Sequence, residues 1–554
     1  LTLVGGQNAV LLPNSAGADG IVLDTVTVRD ANDNAILVGT GNDGFILRDS
    51  LVEDTGPATT FRGLWLSGAT NATVERSEFV GHTTGIDVDN SDGTLIDDVT
   101  VRNNTTGIAV TDSSAFQSVL VRNSTAFDNL TTGFNIAGLN SVIRDSVAFN
   151  HDDPNSNDSG FVLSDNARSI NNEAYDNRIG FLVGNATSLG DTAYQNQLSG
   201  FDLGNSAVVE EARSYLNAEG VDIDLSTSSR AVLRNSEIFA NTVHGITLNE
   251  GNNSVIENNT VVQTVGNALR LTAGTNTVQV TNNIFVAENA AAISVSNASR
   301  LGFFADYNLY SAGTGQALID WAGTPFTTLA DLLYELGFEQ NGIIANPGFI
   351  DRDGADNIIG TADDSFLIAP GSAGIDAGDP RTRYDREPGF GGGRVNLGAF
   401  GDTPQAAASS GASLIEVLTP DGLEKFALGE VVPIEVRSFG LTPEDPVLFV
   451  NAGGPEVQGP ENWSNWRNIP ASTGGTSTTS VVIDQSGLPF EVPADLFRTY
   501  AQSGLGVGDR ITYDFDLPDG TYTLRLYFAE AFNRVPGEQL TDIVVNNVVA
   551  RDDF

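Results

Sequence analysis

The 554-residue sequence contains no cysteine, one lysine (Lys425) and three histidines, and no apolar run in it is long enough to cross a bilayer. Without cysteine no disulfide staples the fold. That does not assign the chain to the cytoplasm, since stacking and metal ions can hold a secreted protein without cross-links. Positive charge is also scarce: 27 basic residues face 71 acidic ones, for a net charge of -44. Such a surface repels nucleic acid and anionic lipid, which excludes both as partners, and it attracts divalent cations. Asp outnumbers Glu, which suits short turns and calcium ligation. Helical patterning is nearly absent; Thr328 to Gly337 (TLADLLYELG) is the one stretch with helical apolar spacing and a capping Thr.

What is present is a repeat. A small residue followed by apolar, any, apolar recurs thirteen times between residues 8 and 295, at intervals of 20 to 28 residues, as in Gly85-Ile86-Asp87-Val88, Gly160-Phe161-Val162-Leu163, Gly200-Phe201-Asp202-Leu203 and Gly245-Ile246-Thr247-Leu248. Period-two alternation over so few residues makes a short strand with one buried face. A fixed interval of this length makes a stack of near-identical coils.

Further columns set the direction of stacking. Asn or Asp precedes a second strand at Asp49, Asp98, Asn123, Asp145, Asn172, Asp191, Asn235, Asn258 and Asn282. Aromatics recur at Phe79, Phe127, Phe149, Tyr175, Tyr194, Tyr215 and Phe239, with Asn104, Asn129, Asn177, Asn196, Asn217 and Asn241 shortly after them. Like residues stacked at about 4.8 Å give amide ladders in the turns and offset aromatic stacks, expected inside the coil. An antiparallel sandwich would not hold these columns in register over so many repeats. The expected fold is all-β: a parallel β-helix over 1–300, whose first coil starts at Leu1 without an N-terminal cap. Leu1 in place of Met suggests a processed or trimmed chain.

From residue 301 the repeat dissolves into Asp306-Tyr307-Asn308-Leu309-Tyr310, Asn346-Pro347-Gly348-Phe349-Ile350-Asp351, Pro370-Gly371-Ser372-Ala373-Gly374-Ile375-Asp376-Ala377-Gly378 and Asn396-Leu397-Gly398-Ala399-Phe400. This order resembles the closing region of secreted bacterial right-handed, pectate-lyase-like β-helix proteins, and implies a cover for the exposed apolar end over 301–402. Within it, Asp351, Asp353, Asp356, Asp363 and Asp364 lie on a Gly-bent loop, where alternate carboxylates can converge on calcium. A solvated acidic turn is the bland alternative.

Residues 403–445 read as a small-residue linker and a short strand pair resembling the opening of an immunoglobulin-like module. Val450-Asn451-Ala452-Gly453-Gly454-Pro455, Leu496-Phe497-Arg498-Thr499, Gly520-Thr521-Tyr522-Thr523-Leu524-Arg525-Leu526-Tyr527-Phe528-Ala529-Glu530 and Asp542-Ile543-Val544-Val545-Asn546-Asn547 then resemble the malectin family of carbohydrate-binding β-sandwiches, over 446–554. The resemblance implies a glycan ligand. Trp463, Trp466, Tyr500 and Tyr527 are the candidate platforms for a sugar's CH face. Asp552-Asp553-Phe554 ends the chain where that sandwich still lacks strands. The expectation is a fragment of something longer; the alternative is a neighbouring copy supplying the strands, which builds polymers.

Parallel β-helices host lyases and epimerases, but a fold does not fix an activity. Proton abstraction from a uronate needs a base beside a group that neutralises the carboxylate. The only lysine lies outside the coil. Where pectate lyases of similar rung pattern place a catalytic lysine, this chain has Gly160-Phe161-Val162-Leu163. The surviving candidate is the inserted loop from His151 to Asp158, with Asp158 or Arg144 assisting; His82 and His244, before rung glycines, read as structural. A hydrolase would need a carboxylate pair facing one groove, and Asp97 and Asp98, being adjacent in a strand, point to opposite faces. The leading expectation is therefore an extracellular, cell-surface or matrix rod with structural or adhesive work, a glycan-binding module and possible self-association. Its rival is a lyase or epimerase acting on acidic polysaccharide.

Overall fold

The computed structural model describes residues 1–56, 61–112, 119–151, 158–224, 230–388 and 394–408, and beyond these 414–419, 432, 435–439, 450–458, 466–468, 475–480, 493–502, 509–515, 524, 526, 543–545 and 548–551. The chain divides into two compact units, Leu1–Ser410 and Gly411–Phe554.

The first unit is a parallel β-helix. Each coil contributes one strand to each of three sheets, of fifteen, fifteen and thirteen strands. The first sheet runs from Thr2–Val4 to Ile343–Ile344, the second from Val10–Leu12 to Thr324–Phe326, and the third from Val22–Asp24 to Phe304–Asp306. The second carries the small-apolar-any-apolar rungs. In it the apolar pair points in and the residue between them points out, as in Thr84–Asp89, where Ile86 and Val88 are buried and Asp87 is half-buried.

The inner and outer faces sort the aromatics, and here one expectation is corrected. Phe134, Phe161, Phe181 and Phe201, from the second sheet, form the stack inside the coil, with centroids 5.0, 4.6 and 4.9 Å apart. The column Phe127, Phe149, Tyr175, Tyr194, Tyr215 and Phe239 is also stacked, at 4.9 to 5.2 Å, but it takes the third place of each first-sheet strand and lies on the outer face. Phe79 does not belong to it: the middle residue of its strand, it points inward in register with Val101 and Ala126. The interior has no room for two aromatic stacks side by side. Opposite the phenylalanines the first sheet therefore turns in Ala126, Ala148, Ala174 and Ala193.

Amide ladders form as expected. Each asparagine accepts a neighbour's backbone N–H and donates to a carbonyl of another coil, as in Asn104 N to Asn129 Oδ1 at 3.0 Å and Asn129 Nδ2 to Val101 O at 3.0 Å. At about 1 kcal/mol net per bond, the ladder's larger role is to leave no turn amide unsatisfied. The Asn/Asp column before the second strand splits in two. Asp49, Asp98, Asn123, Asp145, Asn235, Asn258 and Asn282 hold left-handed φ angles at a corner. Asn172 and Asp191 sit one place later, in a buried ladder where Asn172 N donates to Asp191 Oδ1 at 2.7 Å.

The end of the stack is covered by less of the closing region than expected. Thr324–Phe326 turns back antiparallel on Ile319–Trp321, and a short helix follows, begun by the Thr328 side chain capping Asp331 N and ended by Gly337 at φ 75°. Phe326 and Leu332 are buried against the last coils. Residues 346–388 and 394–407 instead fold back along the outer face of the first sheet, joining Tyr215, Phe239, Val262, Ile284 and Leu309 to Phe366, Ile368 and Leu397 in a second apolar cluster. Corner asparagines hold that return: Asn235 Nδ2 donates to Gly401 O at 2.6 Å and Asn258 Nδ2 to Asn396 O at 3.0 Å.

In the second unit three described strand pairs are antiparallel, Leu414–Thr419 with Glu435–Phe439, Gly475–Thr478 with Thr499–Gln502, and Ile543–Val545 with Val548–Arg551, while an isolated bridge from Val450 to Arg467 is parallel.

Candidate active site

The outward residues of the second sheet form one continuous column, apolar at Val162 and Leu182 and mostly ionisable from Asp202 to Arg270. Asp202, Asp222, Thr247 and Arg270 occupy successive coils in strict register. Glu219 and His244 start two of the same strands and are themselves paired. Each stands outside because its flanking residues fill the core: Phe201 and Leu203, Val221 and Ile223, Ile246 and Leu248, Leu269 and Leu271 are all buried.

Two carboxylates one coil apart cannot both ionise freely. At about 5 Å and an effective dielectric constant of about 20, their repulsion is on the order of 3 kcal/mol. Burial pushes the Asp202 carboxyl up to about 7, with the charges of Asp222 and Asp224 adding to it. Asp222 is raised too, by burial and then by Asp224, and its Oδ1 is buried without a hydrogen bond among the described residues. Glu219 is likewise pushed up to about 7 by burial, although the Thr247 hydroxyl donates to its Oε2 at 2.8 Å. Burial and the charge of Arg270 lower the His244 imidazole. The backbone N–H of Asn267 donates to its Nδ1 at 3.0 Å. Arg270 has no ion pair among the described residues. The column thus sets proton-holding carboxyls, a neutral imidazole and a free guanidinium side by side, near neutral pH.

The residues proposed from sequence lie elsewhere. His151 is buried and is a rung of the asparagine ladder: its Nδ1 accepts from Asn129 N at 3.1 Å and its N donates to Asn177 Oδ1 at 3.2 Å. Burial takes its pKa down to about 4. Asp158 is buried as well, Arg144 is exposed on the third sheet, and 152–157 fall outside the described residues. His82 is a rung of the same ladder. Trp466 is buried, which leaves no ring face for a sugar, while Tyr500 sits half-buried in an antiparallel pair opposite Ser477. Trp463 and Tyr527 lie outside the described residues.

In the acidic loop, Asp363 Oδ2 accepts from Ala355 N at 2.7 Å and from Asp356 N at 3.3 Å. Asp364 Oδ2 accepts from Gly360 N at 2.6 Å and from Thr361 N at 3.3 Å, and Asp356 Oδ1 accepts from Ile358 N at 2.8 Å. Among the described residues no three acidic or histidine side chains, Asp351 and Asp353 included, converge as a metal-binding group.

The signal for the outer-face cluster was in the rungs themselves. The variable place of the small-apolar-any-apolar motif is the outward one, and read down the column it runs Val162, Leu182, Asp202, Asp222, Thr247, Arg270.

Among solved structures the chain resembles the A-modules of two Azotobacter vinelandii mannuronan C-5 epimerases. For AlgE6 the identity is 17% and the TM-score 0.39, covering 58% of this chain and 91% of that one. For AlgE4 they are 14% and 0.37, covering 60% and 90%. Pectate lyase Pel9A matches at 18% identity and TM-score 0.35, covering 66% and 88%. No curated protein matches the chain. The profile of the right handed beta helix region matches residues 8–179 and 159–303, and that of the malectin domain residues 446–554. With more than half its length so matched, the chain belongs to the right-handed β-helix family and carries a malectin-like domain after the coil.

Proposed function

We propose that this protein is an extracellular polysaccharide-processing protein that acts on uronate residues as a lyase or epimerase, using the outer face of the second sheet. The observation that carries this reading is the register Asp202–Asp222–Thr247–Arg270. In it, Arg270 neutralises the uronate carboxylate, which acidifies the proton on the adjacent ring carbon. Asp222, ionised while Asp202 holds the pair's proton, removes that carbon-bound proton; burial and the charge of Asp224 raise its pKa, which makes it a stronger base than a free carboxylate. In elimination the glycosidic oxygen then leaves with a proton from an acid such as Glu219; in epimerisation a proton returns to the opposite face. The malectin-like domain adds glycan binding.

The test is incubation with polygalacturonate and with alginate, followed by ultraviolet absorbance for unsaturated ends and by NMR for epimer content. Unsaturated or epimerised product that disappears in Asp222→Asn supports the reading. New reducing ends without unsaturation would replace it with hydrolysis by the Asp202–Asp222 pair.

A second reading, a non-catalytic adhesive rod, is supported by the unbroken stacking of fifteen-stranded sheets. It is the outcome if no product forms while glycan binding persists. Calcium at the Asp351 to Asp364 loop also stands as a proposal, resting on the loop's donor chemistry. A chelator that leaves the melting temperature unchanged removes it.

A further inference from the structure

His244 differs from the other two histidines in what its ring can reach. Its Nδ1 receives the backbone N–H of Asn267 at 3.0 Å. A backbone amide can only donate, so Nδ1 presents a lone pair and the neutral ring carries its proton on Nε2. That Nε2 has no hydrogen-bond partner among the described residues, and it is not among their buried unpartnered atoms. The Nε2 of His151, by contrast, is buried and unpartnered, and that of His82 lies 3.3 Å from Val52 O.

The turn that aims the Asn267 amide depends on glycine. Gly266 holds φ +70°, and a Cβ there would stand 1.6 Å from Val243 O and 2.7 Å from His244 Nδ1. No side chain fits without displacing the contact to the imidazole. Arg270 lies three residues beyond this turn, one coil on from His244.

We propose that the Gly266–Asn267 turn is a positioning device that fixes His244 as its Nε2–H tautomer, so that His244 and Arg270 act as two donors to one carboxylate. For the ligand, a uronate, this rests on the reading above; the tautomer does not. A histidine so held is a hydrogen-bond donor to the bound saccharide. The ring's one lone pair is taken by the amide, so it does not serve as the resting base, and that task stays with the carboxylates.

The experiment uses the whole protein labelled with 15N in histidine, where three rings give a resolvable spectrum and His244→Gln identifies the signals of interest. Long-range 15N–1H correlations near neutral pH are expected to show His244 fixed as Nε2–H. A fixed Nδ1–H ring, or rapid averaging of the two tautomers, overturns the device. Gly266→Ala should release the tautomer while leaving His82 and His151 unchanged; if that variant does not fold, the unsubstituted spectrum decides. Trigalacturonate is then titrated in. A shift of the His244 Nε2 signal that is lost in Arg270→Gln supports the two-donor site. An Nε2–H ring that ignores trigalacturonate refutes the uronate ligand and keeps the positioning device. A ligand-induced shift on an Nδ1–H ring does the reverse.

Discussion

Asp202 and Asp222 stand in register on neighbouring coils, both facing outward from the second sheet. The Asp202 carboxyl rises from 3.8 to about 7, first through burial and then through the charges of Asp222 and Asp224. A raised pKa means that the folded chain holds this proton more tightly than the unfolded chain does. Its stabilising share is therefore full below the unfolded value and is lost as pH rises through the folded one.

Asp202→Asn removes that loss. Its stability relative to the parent protein should improve steadily as pH rises from about 4 to about 8, by about 1–2 kcal/mol once solvent screening is allowed for. Thermal melts across that window check it. A difference that does not change with pH would mean that the pair does not share its proton as the geometry requires.

The two aromatic columns should respond differently to truncation. Phe161→Ala opens a cavity inside the coil and should cost about 3–5 kcal/mol. Phe149→Ala on the outer face loses only partly buried contacts and should cost about 1 kcal/mol. Urea titrations of the two variants would show equal costs only if the columns were equally buried.

Much of this coil was legible in one sequence. The spacing of Gly85, Gly107 and Gly133 gives the period, and the apolar residue after each gives the inward face. The placement of Phe127 and Phe149 was not legible, because a three-residue strand offers two faces and no further alternation to choose between them. The clue lay in the residue before each ring: Ala126 and Ala148 are the size that an interior already holding Phe134 and Phe161 can accept. His151 misled for a related reason. A histidine at the start of an inserted loop looks exposed, yet its Nδ1 takes the same backbone donor that an asparagine Oδ1 takes in neighbouring coils. The outward column of Asp202, Asp222, Thr247 and Arg270 was hidden in the motif's variable place, where apolar patterning has nothing to say.

His151→Asn should therefore be mild, within about 1–2 kcal/mol of the parent, because an asparagine fits the rung. His151→Ala should cost more, about 1–3 kcal/mol beyond the asparagine variant, by leaving ladder amides unsatisfied. Neither should alter any activity on uronan, and loss of turnover in the well-folded asparagine variant would return His151 to the active site.

Arg213 fastens the returning segment to the coil. Its Nη1 and Nη2 donate to Ala362 O at 2.9 Å and Asp364 O at 2.8 Å, while Nε lies 3.3 Å from the buried Glu237, whose Oε1 accepts from Phe366 N. Arg213→Ala leaves Glu237 buried without its cation, at a cost of about 3–5 kcal/mol. Adding Glu237→Gln should recover part of that loss. Hydrogen exchange should quicken around Phe366 in the single variant and stay slow at Phe161; uniform exchange through both regions would show that Arg213 supports the whole coil rather than the returning segment.

Salt should act on uronan binding in the direction opposite to that usual for a polyanion ligand. A protein of net charge -44 repels a polyuronate at long range. Screening shortens that repulsion to about 10 Å at roughly 0.1 M salt. On the proposed reading, in which Arg270 receives one uronate carboxylate, that attraction is local and partly shielded from solvent by the residue's half-buried setting, so salt weakens it less. Affinity for polygalacturonate should therefore rise several-fold between about 20 mM and about 200 mM salt, where a ligand held by a basic patch would be lost through counterion release. Arg270→Gln should bind weakly throughout and still improve with salt, since the repulsion it feels is unchanged. Calorimetry at three salt concentrations separates the cases, and affinity falling steadily with salt would mean that an extended basic surface, and not one guanidinium in an acidic field, receives the polymer.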